Sequence, residues 1–351
     1  MDFELTDDQL ALRDAASSLL AAKASPDRVR RVVDAGGGAD AELWSAMVEQ
    51  GWAGVDVPEA HGGLGLSFVE ATVLLEQVGA YVAPSPFLQQ IVALWALTRS
   101  GAGADWIERL VSGDAIATIA WREVESAGDA VSGRTEPALY APSADVAVVR
   151  TSDGLFAVDL AAHGRPQRES AMDRTREVGW LAFDDTPAIR LGDAAAAAGF
   201  LERGAVAHAA EMLGGAQRAL DMAVNYAKER QQFGRPIGSF QAVKHRCADM
   251  LVDVEGMRSA VYWAAWCLAA GDPDAAVAAS TAKVWCTDAA KRVMASALQV
   301  HGGIGFTWEH DVHLYLKRSQ LDQVSFGDAT FHRSRLADLL RARLEAGESV
   351  V

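Results

Sequence analysis

Between Arg230 and Gln241 the chain reads RQQFGRPIGSFQ. A fixed cation (Arg230), an aromatic ring (Phe233), a tight turn (Gly234, Pro236) and an amide (Gln241) stand close together there. A guanidinium pairs with phosphate oxygens in a planar fork. A phenyl ring gives a flat heteroaromatic group a face to lie on. The set suits a ligand with both a pyrophosphate and a flat ring. A helix-loop-helix joint with one exposed arginine would use the same residue types, and type alone does not separate the two.

The segment lies between two long helical patterns. After it, Val243, Cys247, Met250, Val254, Met257 and Val261 recur at steps of four and three, the seam of a helix packed on other helices. Near the start, Thr6 reads as the cap of a helix running to about Ala22, with two aspartates in its first turn. The three glycines between Asp34 and Asp40 predict a flexible joint. Ala41 to Gln50 reads as helix. A turn-rich loop then ends at Ser67, the cap of a helix to about Tyr81. Further helices are expected after Pro86 and near Trp106 to Val111. From about residue 114 the pattern changes. Ala144 to Val149, Leu155 to Leu160 and Trp180 to Phe183 are short strand-like runs with turn residues between them. Helix resumes at about Ala194. The expected class is α+β: helical residues 1–113, a small β domain over 114–193, and a helical domain over 194–351.

With 351 residues, half of them apolar, the chain is globular and holds two or three domains. A net charge of −15 argues against nucleic acid and against an anionic membrane surface. It leaves room for an anionic small ligand, which answers to local charge. The three cysteines, Cys247, Cys267 and Cys286, have no metal-ligand spacing and read as inert thiols, so no metal is expected. Their odd, low number fits a reducing cytoplasm. The acidic N-terminus lacks an apolar signal core, and no apolar run is long enough to span a bilayer.

The Arg230 segment resembles the R-x-x-F-G flavin-contacting motif of the acyl-CoA dehydrogenase family. QVHGGIG, from Gln299 to Gly305, resembles that family's Q-x-x-G-G-x-G. The two stand in the right order and at the expected separation. The resemblance is good from about Leu213 to Phe306, fair at the N-terminus and poor in the middle. It implies a helix-sheet-helix chain ending in a four-helix bundle, with FAD shared between two subunits. By position it places Arg230 at the pyrophosphate and Phe233 by the adenosine, with Gln241 nearby. Gln299, Gly302 and Gly303 fall at the adenine end, glycine allowing close backbone approach. Helix-surface amides and a plain loop are the ordinary alternatives.

The family's own β-domain contacts to flavin are not recognisable here. IATIAWREVES stands in that region, and Trp121 reads as a core residue or a flavin-stacking one. The reaction needs a carboxylate to remove the α-proton of an acyl-CoA. An ungapped register from Gly305 puts Phe326 where most of the family has that glutamate. The alternative position used by a minority of the family, at the start of the long helix before the R-x-x-F-G segment, falls at about Gly204. Asp328, Glu202 and Glu211 are the substitutes within reach. A loop charge, a helix-end charge and a polar packing residue are their plainer readings. Asp173 and Arg176 fit a structural domain-joining turn, His245 and His301 structural histidines, and Trp263, Trp266 and Trp285 bundle packing. Three functions remain. The chain is a subunit completing the FAD site of a longer homologous partner, a self-sufficient homotetramer with a relocated base, or a non-redox helical scaffold. An electron-transfer flavoprotein is the acceptor the resemblance implies.

Overall fold

A computed structural model describes residues 4–347; residues 1–3 and 348–351, the outer ends of the first and last expected domains, lie outside the described residues. Six helices come first: α1 (Asp7–Lys23), α2 (Pro26–Asp34), α3 (Ala41–Glu49), α4 (Phe68–Ala80), α5 (Phe87–Ser100) and α6 (Ala104–Val111). Thr6 and Ser67 start α1 and α4 with reciprocal capping boxes, closed by Gln9 and Glu70. The glycine-rich joint after α2 is packed instead of open. Gly37 is buried at φ 100°, and a Cβ there would run into the Arg176 carbonyl.

A six-stranded sheet follows, made of β1 (Ala117–Ala127), β2 (Ala130–Leu139), β3 (Val146–Thr151), β4 (Gly154–Asp159), β5 (Val178–Pro187) and β6 (Ile189–Asp193), with the single turn α7 (Leu160–His163) after β4. The order is β5-β2-β1-β3-β4-β6, and only β1 and β3 pair in parallel. The β3, β4 and β5 runs match the Val-rich stretches read from sequence. β1, β2 and β6 were not anticipated. β1 ends in the charged run Arg122–Glu125 and β2 contains Gly133 and Pro137, which hide strand periodicity.

Asp193 caps α8 (Ala194–Glu229) by accepting from the amides of Ala195 and Ala196, and the run of five alanines that follows favours helix. A short hairpin, β7 (Gln231–Gln232) and β8 (Arg235–Pro236), leads into α9 (Gln241–Ala270) and α10 (Ala275–His301). Met250, Val254, Met257 and Val261 are buried as their spacing requires. Trp266 and Trp285 depart from expectation: both are over two-fifths exposed. α11 (Val312–Val324) packs on α8 and α10, and α12 (Ala329–Glu345) on α10. One continuous apolar core runs through both helical parts, and the sheet keeps a second. Among the described residues no helix is long and apolar enough to cross a membrane.

Candidate active site

α8 and α10 both end at the same tip of the bundle, where Tyr226 of α8 stacks at 4.9 Å on His301 of α10. Arg230 caps α8 and is exposed; among the described residues its guanidinium has no ion-pair partner. Phe233, at the hairpin tip, is 91% exposed and holds φ at 53°, a strained region for a residue with a Cβ. Its ring meets Phe240 edge-on at 6.0 Å, and Arg235 lies 4.2 Å over that second ring. Gln241 opens α9, exposed. Gln299, also exposed, sits in the last turn of α10, and the 3-10 turn Gly302–Phe306 follows. Gly302 has φ 64° and ψ −142°, which only glycine adopts readily. A Cβ on Gly302 or Gly303 would meet nothing, so the backbone there faces open space. The fold thus brings all six residues read from the two motifs to one end of the bundle. Their donor chemistry and the open glycine backbone fit the adenylate half of a dinucleotide.

The interior is different. Phe326, between α11 and α12, is buried and holds φ at 55°. Its ring packs on Phe200 at 5.4 Å, His208 at 5.6 Å and Trp121 at 6.5 Å. A Cβ at Gly204 would run into that same ring. The two positions at which the family resemblance looks for a glutamate therefore converge on one point, and an apolar ring fills it. Nearby, Trp95 of α5 closes on Gly199 of α8, where a Cβ would stand 2.8 Å from the indole. What remains between sheet and bundle is a cavity of about 190 Å³, walled by Ile119, Trp121, Ala138, Leu139 and Phe326. Its one lining carboxylate is Glu136 of β2. Burial pushes that carboxyl up, against hydrogen bonds from the backbone amides of Trp121 (2.8 Å) and Arg122 (3.2 Å).

None of the three sequence-read bases reaches this cavity. Glu202 is drawn to Arg335 of α12 at 2.5 Å. Asp328 is exposed and caps α12 through the Phe331 amide at 2.8 Å, so the loop shift needed to aim it inward is not made. Glu211 faces inward but belongs to a buried ion network. Its Oε1 accepts from Arg176 and, at 2.7 Å, from Arg318. Asp322 takes Arg176 at 3.1 Å and His208 at 3.0 Å; Asp173 takes Arg318 at 2.9 Å. Burial opposes ionisation of Asp173, but Arg318 and Arg176 outweigh it and hold the carboxyl below its usual range. Burial, reinforced by Lys283 and Arg176, pushes His208 far down, leaving it neutral. His208, Glu211 and Asp322 lie within 4.8 Å of one another, a spacing a metal could use. Arg176 already bridges Glu211 Oε1 and Asp322 Oδ1, and together with Arg318 it supplies the positive charge. The network joins α8, α11 and the turn before β5, so the structural reading of Asp173 and Arg176 holds. The His301 ring donates from Nδ1 to the Ala297 carbonyl of its own helix at 2.7 Å.

Sequence reasoning missed Gln89 and Glu136, both cavity-lining. The signal for Gln89 was present: two adjacent amides, Gln89 and Gln90, interrupt the apolar run of α5. Glu136 carries none, because β2 was not recognised as a strand.

Family models described as the acyl-CoA dehydrogenase N-terminal and C-terminal domains match residues 6–114 and 194–340. The acyl-CoA dehydrogenase IpdE2 of Mycolicibacterium smegmatis is 33% identical over 316 residues, 90% of this chain and 93% of that one. The chain belongs to the acyl-CoA dehydrogenase family. That family consists of FAD-dependent oxidoreductases. Acyl-CoA dehydrogenase FadE27 of Mycobacterium tuberculosis is 31% identical, with 96% of this chain and 98% of that one covered. Among solved structures, a Tcur3481–Tcur3483 steroid ACAD variant superposes with a TM-score of 0.90 at 32% identity, covering 97% and 99% of the two chains. The ChsE4–ChsE5 complex of Mycobacterium tuberculosis gives 0.90 at 28% identity, with the same coverage.

Proposed function

We infer that this acyl-CoA dehydrogenase chain is the cofactor-completing subunit of an assembly with a longer homologous chain. It presents Arg230, Phe233, Gln241, Gln299, Gly302 and Gly303 to FAD seated mainly in that partner, while its own site stays closed. The reaction is α,β-desaturation of an acyl-CoA. Bound FAD supplies the hydride acceptor there, and the carboxylate that removes the α-proton is the partner's. Arg230 balances pyrophosphate charge, Phe233 offers a stacking face to the adenine, and the open backbone at Gly302 and Gly303 admits close approach. The electrons pass on to an electron-transfer flavoprotein, in the cytoplasm, where the three unpaired thiols stay reduced.

The observation that carries this reading is the Phe326 ring over Gly204. It removes both base positions at once and leaves a cavity of about 190 Å³. Ligand pockets run to roughly 300–1,000 Å³, and a three-ring cofactor with a thioester beside it needs that range. The self-sufficient homotetramer would need a carboxylate free to act in this cavity; Asp328, Glu202 and Glu211 are all engaged outside it, and Glu136, which does line it, is tied up by the backbone amides of Trp121 and Arg122. A scaffold without flavin would have no use for an unpaired arginine beside an exposed phenylalanine held in a strained conformation. The Tcur3481–Tcur3483 steroid ACAD and the ChsE4–ChsE5 complex, each a named pair of chains, support a heteromeric assembly, and the first of them supports a bulky, steroid-derived acyl group.

The test is flavin stoichiometry. Co-expressed with a longer homologous chain, the complex should hold one FAD per pair of chains, and this chain alone should be colourless. Arg230→Ala should weaken FAD retention roughly ten- to a hundredfold, the worth of a charge-assisted phosphate contact. Two flavins per pair, or a yellow homotetramer with turnover, would sink the reading.

A further inference from the structure

Gln89 is wholly buried in α5, yet neither atom of its amide has a hydrogen-bond partner. Its neighbour Gln90 shows what a satisfied amide looks like here. It donates to the Leu110 and Ala115 carbonyls at 2.7 and 3.1 Å and accepts from the Ala117 amide at 2.9 Å. A buried amide with nothing to bond costs roughly 1–3 kcal/mol, and native structures rarely leave one. Gln89 lines the 190 Å³ cavity between sheet and bundle, the one that Phe326 narrows.

Size and wall chemistry define what fits. An apolar cavity of about 150 Å³ in another protein takes up benzene. This cavity is slightly larger, and most of its wall is aliphatic or aromatic. It therefore accommodates one six-membered ring and a small substituent. Gln89 presents a donor and an acceptor side by side, and the group that satisfies both is another amide. The wall carries one acid, Glu136, and one base, Arg122, which offset each other and leave no spare charge for an anion, so the occupant is neutral.

We propose that this cavity is a binding site for a neutral single-ring carboxamide or lactam, held by paired hydrogen bonds to Gln89. The proposal rests on the reading that this chain seats no flavin of its own. The closed site is then a reused one: the space left in the family's interior holds a smaller molecule.

The experiment uses the full chain, in complex with its partner where that is the soluble form, with FAD counted on the same sample. Ligand-observed NMR titrations compare benzamide, toluene and benzoate. Benzamide should bind on the order of tenfold more tightly than toluene, and benzoate should not bind. Gln89→Leu, which keeps the volume, should abolish the preference for benzamide while still admitting toluene. Ala138→Leu, which fills the cavity from β2, should block both. Equal binding of benzamide and toluene to the unaltered chain overturns the proposal. So does benzamide binding that survives Gln89→Leu, which would leave ordered water as the partner of that amide. One FAD per pair with no benzamide bound overturns this proposal alone; two FAD per pair overturns it together with the assembly reading.

Discussion

Phe326 is held in the left-handed region by what surrounds it: three rings, and a hydrogen bond of 2.7 Å between its carbonyl and His332. Such a backbone costs of order 1 kcal/mol or more and persists only when its neighbours fix it. The ring and Gly204 are therefore one unit. Gly204→Ala should destabilise the chain by about 2–3 kcal/mol through overpacking, despite alanine's better helix propensity. In a Phe326→Ala background most of that cost should vanish, leaving a coupling of at least about 1 kcal/mol in urea denaturation. Strictly additive effects would show that the contact is not formed. Glu211 and Asp328 make a contrast in the same assay. Glu211→Gln leaves Arg176 and Arg318 without their shared anion, and should cost about 3–5 kcal/mol. Asp328→Asn keeps a good helix cap and should stay within about 0.5 kcal/mol. A Glu211→Gln variant with unchanged stability and abolished turnover would instead restore Glu211 as a base.

The first turn of α12 also carries a proton linkage. Burial pushes His332 down to about 4 from its ordinary 6.5, against the carbonyl bond that favours the charged ring. Between pH 4 and 6.5 the unfolded chain holds a proton that the folded chain does not. Stability therefore rises with pH across that window, is lost as pH falls through it, and levels off below 4. Lys283 of α10, lowered to about 8 by burial, adds the same sign between about pH 8 and 10.5. Unfolding free energy measured in urea should be lower at pH 4.5 than at 6.5 by about 2 kcal/mol. His332→Phe should flatten that slope, whatever it does to absolute stability; a slope unchanged by the substitution would place the linkage elsewhere, with buried His208 the next group to examine. None of this was legible in the sequence. Helices were: Thr6 and Ser67 announce their own caps, and the four-three seam from Val243 to Val261 names the buried face of α9 before any fold is known. Those signals are local. β1 and β2 are strands because partners across the sheet complete them, and a glycine, a proline and a charged run conceal that from a one-dimensional reading. The motif residues were legible because their types suit a ligand, whatever fold carries them. The misplaced bases were not, since a side chain's sequence distance from Phe326 says nothing of whether an arginine holds it, as Arg335 holds Glu202.

At the scale of the molecule, the contrast is between a closed interior and an uncovered exterior. The chain buries its ionic network and fills the gap over Gly204, yet leaves Phe233 91%, Phe306 76%, Val252 69% and Trp308 61% exposed along the hairpin, the Gly302–Phe306 turn with the loop after it, and α9. Single exposed apolar residues are ordinary, whereas several large ones on one chain suit the interface with another chain proposed above. The net charge of −15 works against nonspecific self-association, which favours the proposed longer chain over a second copy as the cover for these side chains. Val252→Asp places a charge on α9 without touching the bundle core. It should leave the melting temperature of the isolated chain nearly unchanged, as surface substitutions do. It should weaken association with the longer subunit by at least on the order of tenfold, because a carboxylate buried in an interface without a partner is costly. Sedimentation of the two chains over a concentration series reads the association, and a thermal melt of the isolated chain reads its stability. If Val252→Asp and wild type assemble alike, α9 is not the contact face, and Arg230 would need another route to a partner's cofactor.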